Sequence, residues 1–116
     1  MAKQVLLDTS FILTSIRNKI DFLDEISSLG LTPVISKQVM IELEGITKPE
    51  SKLSLKILQK NKIKTLDLET RNTDQGIIDY AKKNPSLVVA TLDREIKNSI
   101  KNNKLIIRGK KKLEII

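Results

Sequence analysis

Four acids carry the chemistry that this chain could do: Asp8, Glu42, Asp74 and Asp93. Asp8 follows the apolar run Val5-Leu6-Leu7, and Asp93 closes a similar run, Leu87-Val88-Val89-Ala90-Thr91-Leu92. Short unbroken apolar runs read as strands buried on both faces of a parallel sheet. Ligands of such sheets gather beyond the carboxyl ends of the strands. Glu42 falls inside a helical stretch between Ile41 and Leu43, and Asp74 falls in the first turn of another. Taken singly, each acid is explained as a turn residue, a solvated helix residue or a partner of the helix macrodipole. Taken together, four carboxylates in one crevice need compensation: some protonate, or a cation neutralises them. Oxygen ligands select Mg²⁺, Mn²⁺ or Ca²⁺. Mg²⁺ in particular takes one or two carboxylates, keeps waters and engages substrate phosphates.

Composition narrows the chemistry further. The 116 residues include no histidine and no cysteine. That removes Ser-His-Asp and Cys-His nucleophilic schemes, thiolate metal sites, disulfides and the usual zinc sites. The formal net charge is +7, with 21 basic against 14 acidic residues, which favours a polyanionic partner such as nucleic acid. A basic surface on a lysine-rich chain explains the same charge without any partner. One Tyr, two Phe and no Trp argue against base-stacking platforms. No apolar stretch approaches the roughly 18 residues of a membrane span. The start, Met1-Ala2-Lys3-Gln4, leads into a strand rather than a signal-peptide core, so a cytoplasmic protein is expected.

The elements that must position the acids read as follows. A strand ends at Leu7, and an apolar stretch Phe11-Ile12-Leu13 follows; Phe22, Leu23, Ile26 and Leu29 then recur at helical spacing, with Gly30 as a stop. Thr32-Pro33-Val34-Ile35 is a second strand, and Ser36 caps a helix with Val39, Met40 and Leu43 on its apolar face. Lys48-Pro49-Glu50-Ser51 opens the next helix, and Ile63-Lys64-Thr65-Leu66 alternates like a strand near a sheet edge. Asn72 with Gln75 resembles a capping box ahead of Ile77, Ile78 and Ala81, and Asn84-Pro85 ends that helix. The Leu87–Leu92 strand, a Lys-rich helix anchored by Ile96 and Ile100, and a fifth strand at Leu105-Ile106-Ile107 complete the body, with residues 108–116 as a basic tail. The class is α/β, one domain over 1–116, with a mainly parallel sheet of about five strands. In the order 3-2-1-4-5, Asp8 and Asp93 leave neighbouring strands at the point where the winding reverses.

The stretches Leu7-Asp8-Thr9-Ser10, Val39-Met40-Ile41-Glu42-Leu43, Thr73-Asp74-Gln75-Gly76-Ile77-Ile78-Asp79-Tyr80-Ala81 and Val89-Ala90-Thr91-Leu92-Asp93-Arg94-Glu95 together resemble the PIN domain family over nearly the whole chain. The resemblance implies a three-layer, Rossmann-like fold and a Mg²⁺- or Mn²⁺-dependent endoribonuclease, commonly a homodimer. It places Asp8, Glu42, Asp74 and Asp93 on the family's acidic metal-binding and catalytic quartet. Thr9, Ser10 and Thr91 match hydroxyl positions that support the acids, and Arg94 a basic position after the fourth acid. Ile106-Ile107-Arg108-Gly109 ahead of the Lys-rich tail resembles the rRNA-processing branch, so precursor rRNA is the expected substrate. A ribonuclease toxin paired with an antitoxin is the alternative. Gln75, standing where many relatives carry a second Asp, points to a further alternative, a catalytically weak RNA-binding domain. Asp79, one turn on, either assists or faces solvent.

Arg94, Lys97, Lys101, Arg108, Lys110, Lys111 and Lys112 are the candidate RNA-binding residues. Lys97, Lys101 and Lys104 are expected on one helical face opposite Ile96 and Ile100, where a solvated face is sufficient explanation. Read functionally, the stretch is a phosphate track that supplies affinity without base readout. A receiver-like phosphoacceptor at Asp67 is a remoter reading, since Thr9-Ser10 and Arg108 fit that pattern badly.

Overall fold

Val5, Leu6 and Leu7 are fully buried at the centre of a six-stranded sheet, which is why the run carries no alternating polar residue. The computed structural model describes residues 3–116; Met1 and Ala2, where the expected lead-in begins, lie outside the described residues. The elements run β1 (Lys3–Leu7), α1 (Thr9–Arg17), α2 (Phe22–Ser28), β2 (Leu31–Ser36), α3 (Lys37–Gly45), α4 (Pro49–Lys60), β3 (Lys64–Leu66), α5 (Thr73–Lys83), β4 (Val88–Ala90), α6 (Arg94–Ser99), β5 (Lys104–Arg108) and β6 (Lys112–Ile115). The sheet order is β3-β2-β1-β4-β5-β6. All pairings are parallel except β5–β6.

Strand periodicity divides the core in two. Val5 and Leu7 of β1 face one side, with Phe11, Phe22, Ile26, Val39, Leu43 and Leu58 from α1 to α4. Leu6 faces the other, with Val34, Ile77, Ala81, Val89 and Ile96 under α5 and α6. The result is three layers, helices on both faces of the sheet. Leu6→Ala in such a site costs about 2–5 kcal/mol. No helix of the described residues is long and apolar enough to cross a membrane.

Helix starts follow their caps. Ser36 accepts from the Val39 amide at 3.0 Å, and Asn72 from the Gln75 amide at 3.0 Å. Asp8 and Asp93 are themselves N-caps, of α1 and α6.

Two expectations need correction. The sheet has six strands, because the basic tail is a hairpin: Gly109 and Lys110 turn the chain at φ +59° and +70°, and Lys112–Ile115 returns antiparallel along β5. Its signal was Lys112-Leu113-Glu114-Ile115, a polar/apolar alternation that fits a half-exposed edge strand. The apolar stretch Phe11-Ile12-Leu13 lies in α1 and the helical spacing from Phe22 in α2, and the two helices are separated at Asn18–Asp21, where Lys19 adopts φ +58°. Lys97, Lys101 and Lys104 do not share a helical face, since α6 ends at Ser99; Lys101 follows it and Lys104 begins β5.

Candidate active site

The register sets the site. Leu7 lies opposite Ala90 in the parallel β1–β4 pair, so Asp8 and Thr91 leave the sheet side by side. The Asp8 amide donates to the Ala90 carbonyl at 2.9 Å. Thr91, fully buried, ties the two exits together: its hydroxyl donates to Asp8 Oδ2 at 2.8 Å and accepts from the Asp93 amide at 3.1 Å. Ser10 Oγ donates to the same Asp8 oxygen at 3.2 Å and accepts from the Leu92 amide at 3.4 Å. Asp8 Oδ1 accepts from the Thr9 amide at 2.9 Å. Asp8 is thus held at both oxygens and is 5 % exposed.

The other acids arrive on helices. Glu42, on the exposed side of α3, accepts from Thr9 Oγ1 at 2.5 Å. Asp93 Oδ1 accepts from the amides of Glu95 (2.8 Å) and Ile96 (3.3 Å) at the start of α6. Asp74 sits in the first turn of α5. Asp8, Thr9, Ser10, Glu42, Asp74 and Asp93 line one open cleft of about 560 Å³ together with Gly45 and Ile46. The four acids expected to converge do so.

Among the described residues no basic side chain lines that cleft, and the electrostatics register it. Burial pushes the Asp8 carboxyl above its ordinary 3.8; hydrogen bonds from Thr91, Thr9 and Ser10 oppose this, and the charge of Asp74 adds to it. Asp74 is likewise raised, first by burial and then by repulsion from Asp93, Glu42 and Glu95. Glu95 is therefore part of the same negative field. Its place in the first turn of α6, two residues past the cap, is the local feature that marks it.

These residues fit a hard divalent cation: every donor is oxygen, all four acids face one cleft, and among the described residues no lysine or arginine lines it to balance them. Among the described residues no three acids form a preassembled ligand cluster. Mg²⁺ does not require one, since it binds through one or two carboxylates and keeps several waters.

Gln38 was not anticipated. Its amide nitrogen donates to Asp67 Oδ1 (3.1 Å) and the Thr70 carbonyl (3.0 Å), and its oxygen accepts from the Leu68 amide (3.2 Å). One side chain of α3 so fastens the loop that leads to Asp74. No sequence pattern marks it, because its partners lie about thirty residues on. Asp67, at the end of edge strand β3, is held by Gln38, the Glu69 amide and Lys37, and is not among the cleft residues. Asp79 is exposed and accepts from Gln75 at 2.9 Å, and neither residue lines the cleft.

The candidate RNA-binding residues do not form one strip. Arg94 and Lys97 are on α6 and Lys101 lies beyond it; Arg108, Lys110, Lys111 and Lys112 belong to the β5–β6 hairpin. Arg108 is paired with Glu114 across that hairpin at 2.8 Å, so its charge is already partnered.

No protein-family model matches the chain. It is 29% identical over 125 aligned positions to Ribonuclease VapC4 of Methanocaldococcus jannaschii, covering 97% of this chain and 95% of that protein. It is 32% identical over 103 positions to the rRNA-processing protein FCF1 of Saccharomyces cerevisiae, covering 84% of this chain and 54% of the yeast protein, so it spans about half the yeast protein's length. The solved structure of the PIN domain endonuclease Utp24 superposes with a TM-score of 0.81 at 26% identity, over 97% of this chain and 90% of that one.

Proposed function

We propose that this chain, similar in sequence to a VapC ribonuclease and to FCF1 and in fold to a PIN domain endonuclease, is a PIN-domain protein and a Mg²⁺- or Mn²⁺-dependent endoribonuclease that hydrolyses RNA phosphodiesters. The observation that carries this reading is the convergence of Asp8, Glu42, Asp74 and Asp93 on one cleft at the exits of β1 and β4, with no basic residue lining it among the described residues. Those four acids would hold the ion. When bound, it would supply Lewis-acid charge at the phosphoryl oxygens and make water acidic enough to attack phosphorus near neutral pH. The chain's own contribution is placement. Thr91 and Ser10 fix Oδ2 of Asp8, and Thr9 fixes Glu42. The reaction adds water across one P–O bond: its oxygen joins phosphorus, and the departing ribose oxygen leaves with a proton.

The test is cleavage of single-stranded RNA with Mn²⁺, beside the same reaction in EDTA and with Asp8→Asn. Loss of Thr91-type support lowers metal affinity about 10–100-fold, and loss of Asp8 itself is expected to cost more. Equal residual activity in wild type and variant removes the proposal.

Precursor rRNA is the favoured substrate, supported by the likeness to FCF1; accumulation of unprocessed rRNA on depletion checks it. A ribonuclease toxin is the alternative, and growth arrest on expression, relieved by Asp8→Asn and by a neighbouring gene, selects it. Gln75 keeps an RNA-binding domain with weak catalysis as a further reading: its amide is turned to Asp79 and supplies no cleft ligand. Tight RNA binding in EDTA with no cleavage in Mn²⁺ selects that. The proposed assembly is a cytoplasmic homodimer, read by sedimentation of the purified protein.

A further inference from the structure

A cleft of four carboxylates repels the polyanion it is proposed to cut, so attraction for RNA has to come from elsewhere on the surface. The β5–β6 turn is one source. A more ordered one runs along α4, where Lys48, Lys52, Lys56 and Lys60 recur at every fourth residue and are all exposed. Successive members are about 6 Å apart along the axis, and the helix is about 18 Å long. That step is comparable to the spacing of phosphates on one nucleic-acid strand.

The arrangement is costly to the helix itself. Like charges at i, i+4 destabilise a helix, and Lys48 and Lys52 stand at the positive end of the macrodipole. Lys48 is the N-cap and makes no side-chain capping bond, and Glu50 is the only acid in the first turn. Among the described residues the ion pairs are Lys37–Asp67 and Arg108–Glu114, so none of the four lysines is neutralised. In α5, by contrast, the lysines sit in the last turn, where the dipole favours them.

The ridge is also continuous with the site. Gly45 and Ile46 line the cleft, and Lys48 is two residues further on. The Ser51 hydroxyl donates to the Leu43 carbonyl, docking α4 on the helix that carries Glu42. Beyond Lys60, Lys62 and Lys64 are exposed as well. No aromatic residue accompanies the lysines: Phe11 and Phe22 are buried edge-to-face in the core, and Tyr80 packs on the opposite layer.

We propose that Lys48, Lys52, Lys56 and Lys60 form a track for the phosphates of one RNA strand, which α4 leads to the acidic cleft. The proposal rests on the nuclease reading for its substrate class. Lacking stacking partners, the track binds without regard to base sequence.

The test is the salt dependence of binding to a short single-stranded RNA, measured in EDTA for wild type, Lys52→Gln/Lys56→Gln/Lys60→Gln, the matching triple Arg variant, and Lys110→Gln/Lys111→Gln/Lys112→Gln. Gln preserves helix propensity, and circular dichroism verifies the fold. Each phosphate contact on a single strand contributes roughly 0.7 to the log–log slope, so the ridge Gln variant is expected to flatten it by roughly 2, with affinity at low salt down about tenfold or more. The Arg variant keeps the slope. An unchanged slope in the ridge Gln variant, loss confined to the hairpin variant, or no RNA binding by wild type overturns the track. Cleavage in Mn²⁺ separates the two ideas. An unchanged ridge slope beside Asp8-dependent cleavage removes the track alone, whereas a flattened slope with no cleavage keeps the track and removes the nuclease.

Discussion

Thr91 is the residue on which the site's geometry turns, because one buried hydroxyl serves both strand exits. Thr91→Val keeps the volume and removes both bonds. The expected cost is about 1–3 kcal/mol of stability, because the Asp93 amide loses its partner and Asp8 Oδ2 keeps only Ser10, with Mn²⁺ affinity, read by calorimetry, weakened about 10–100-fold. Asp74 offers a test of the field rather than of a bond. Its folded carboxyl lies above 3.8, through burial and then through repulsion from Asp93, Glu42 and Glu95. The folded state therefore favours its neutral form. That contribution to stability is full below 3.8 and is lost as pH rises through the folded value. In EDTA, Asp74→Asn is expected to match wild type near about pH 3 and to exceed it at about pH 7, by less than about 1 kcal/mol because the group is mostly exposed. Urea titration at the two pH values reads this directly. A less stable variant at neutral pH would show that the macrodipole of α5, which favours the ionised acid, outweighs the repulsion.

At the scale of elements, the site depends on how the loop before α5 is seated. Gln38 fastens it from α3, and Gly76 lets it lie against α5: a Cβ at Gly76 would stand 2.6 Å from Thr70 Cγ2 and 3.1 Å from Leu68 Cβ. Thr70 is half-buried and Leu68 packs on the core, so neither yields freely. Gly76→Ala is expected to lower stability by about 1–3 kcal/mol, as overpacking does. It should also weaken Mn²⁺ binding, because α5 carries Asp74 two residues earlier. Gln38→Ala removes the clamp without the clash. If Mn²⁺ affinity is untouched in both variants while stability falls, the loop supports the fold and not the site. Neither device could be read from the sequence. A glycine in a helix carries no mark of what approaches it, and a glutamine's partners are known only once the chain is folded.

For the whole molecule, metal binding and folding should be linked. The four acids come from the exit of β1, from α3, from the start of α5 and from the cap of α6, so the cleft exists only in the folded chain. Mn²⁺ at about a hundred times its dissociation constant is expected to stabilise wild type by about 2.7 kcal/mol and to leave Asp8→Asn/Asp93→Asn unmoved in a thermal melt. An equal shift in both proteins would place the ion elsewhere. The α/β alternation, the central strand, the caps at Ser36 and Asn72 and the oxygen-only chemistry were legible in the sequence. Each rests on local periodicity, on a neighbour within one turn, or on the absence of histidine and cysteine. Tertiary structure alone decided that Thr91 reaches Asp8 across 83 positions, that Gln38 holds the loop before Asp74, and that the last residues pair as a sixth strand and commit Arg108 to Glu114. Such contacts are set by the register of strands distant in the chain and by packing between layers, and no short stretch of residues encodes either.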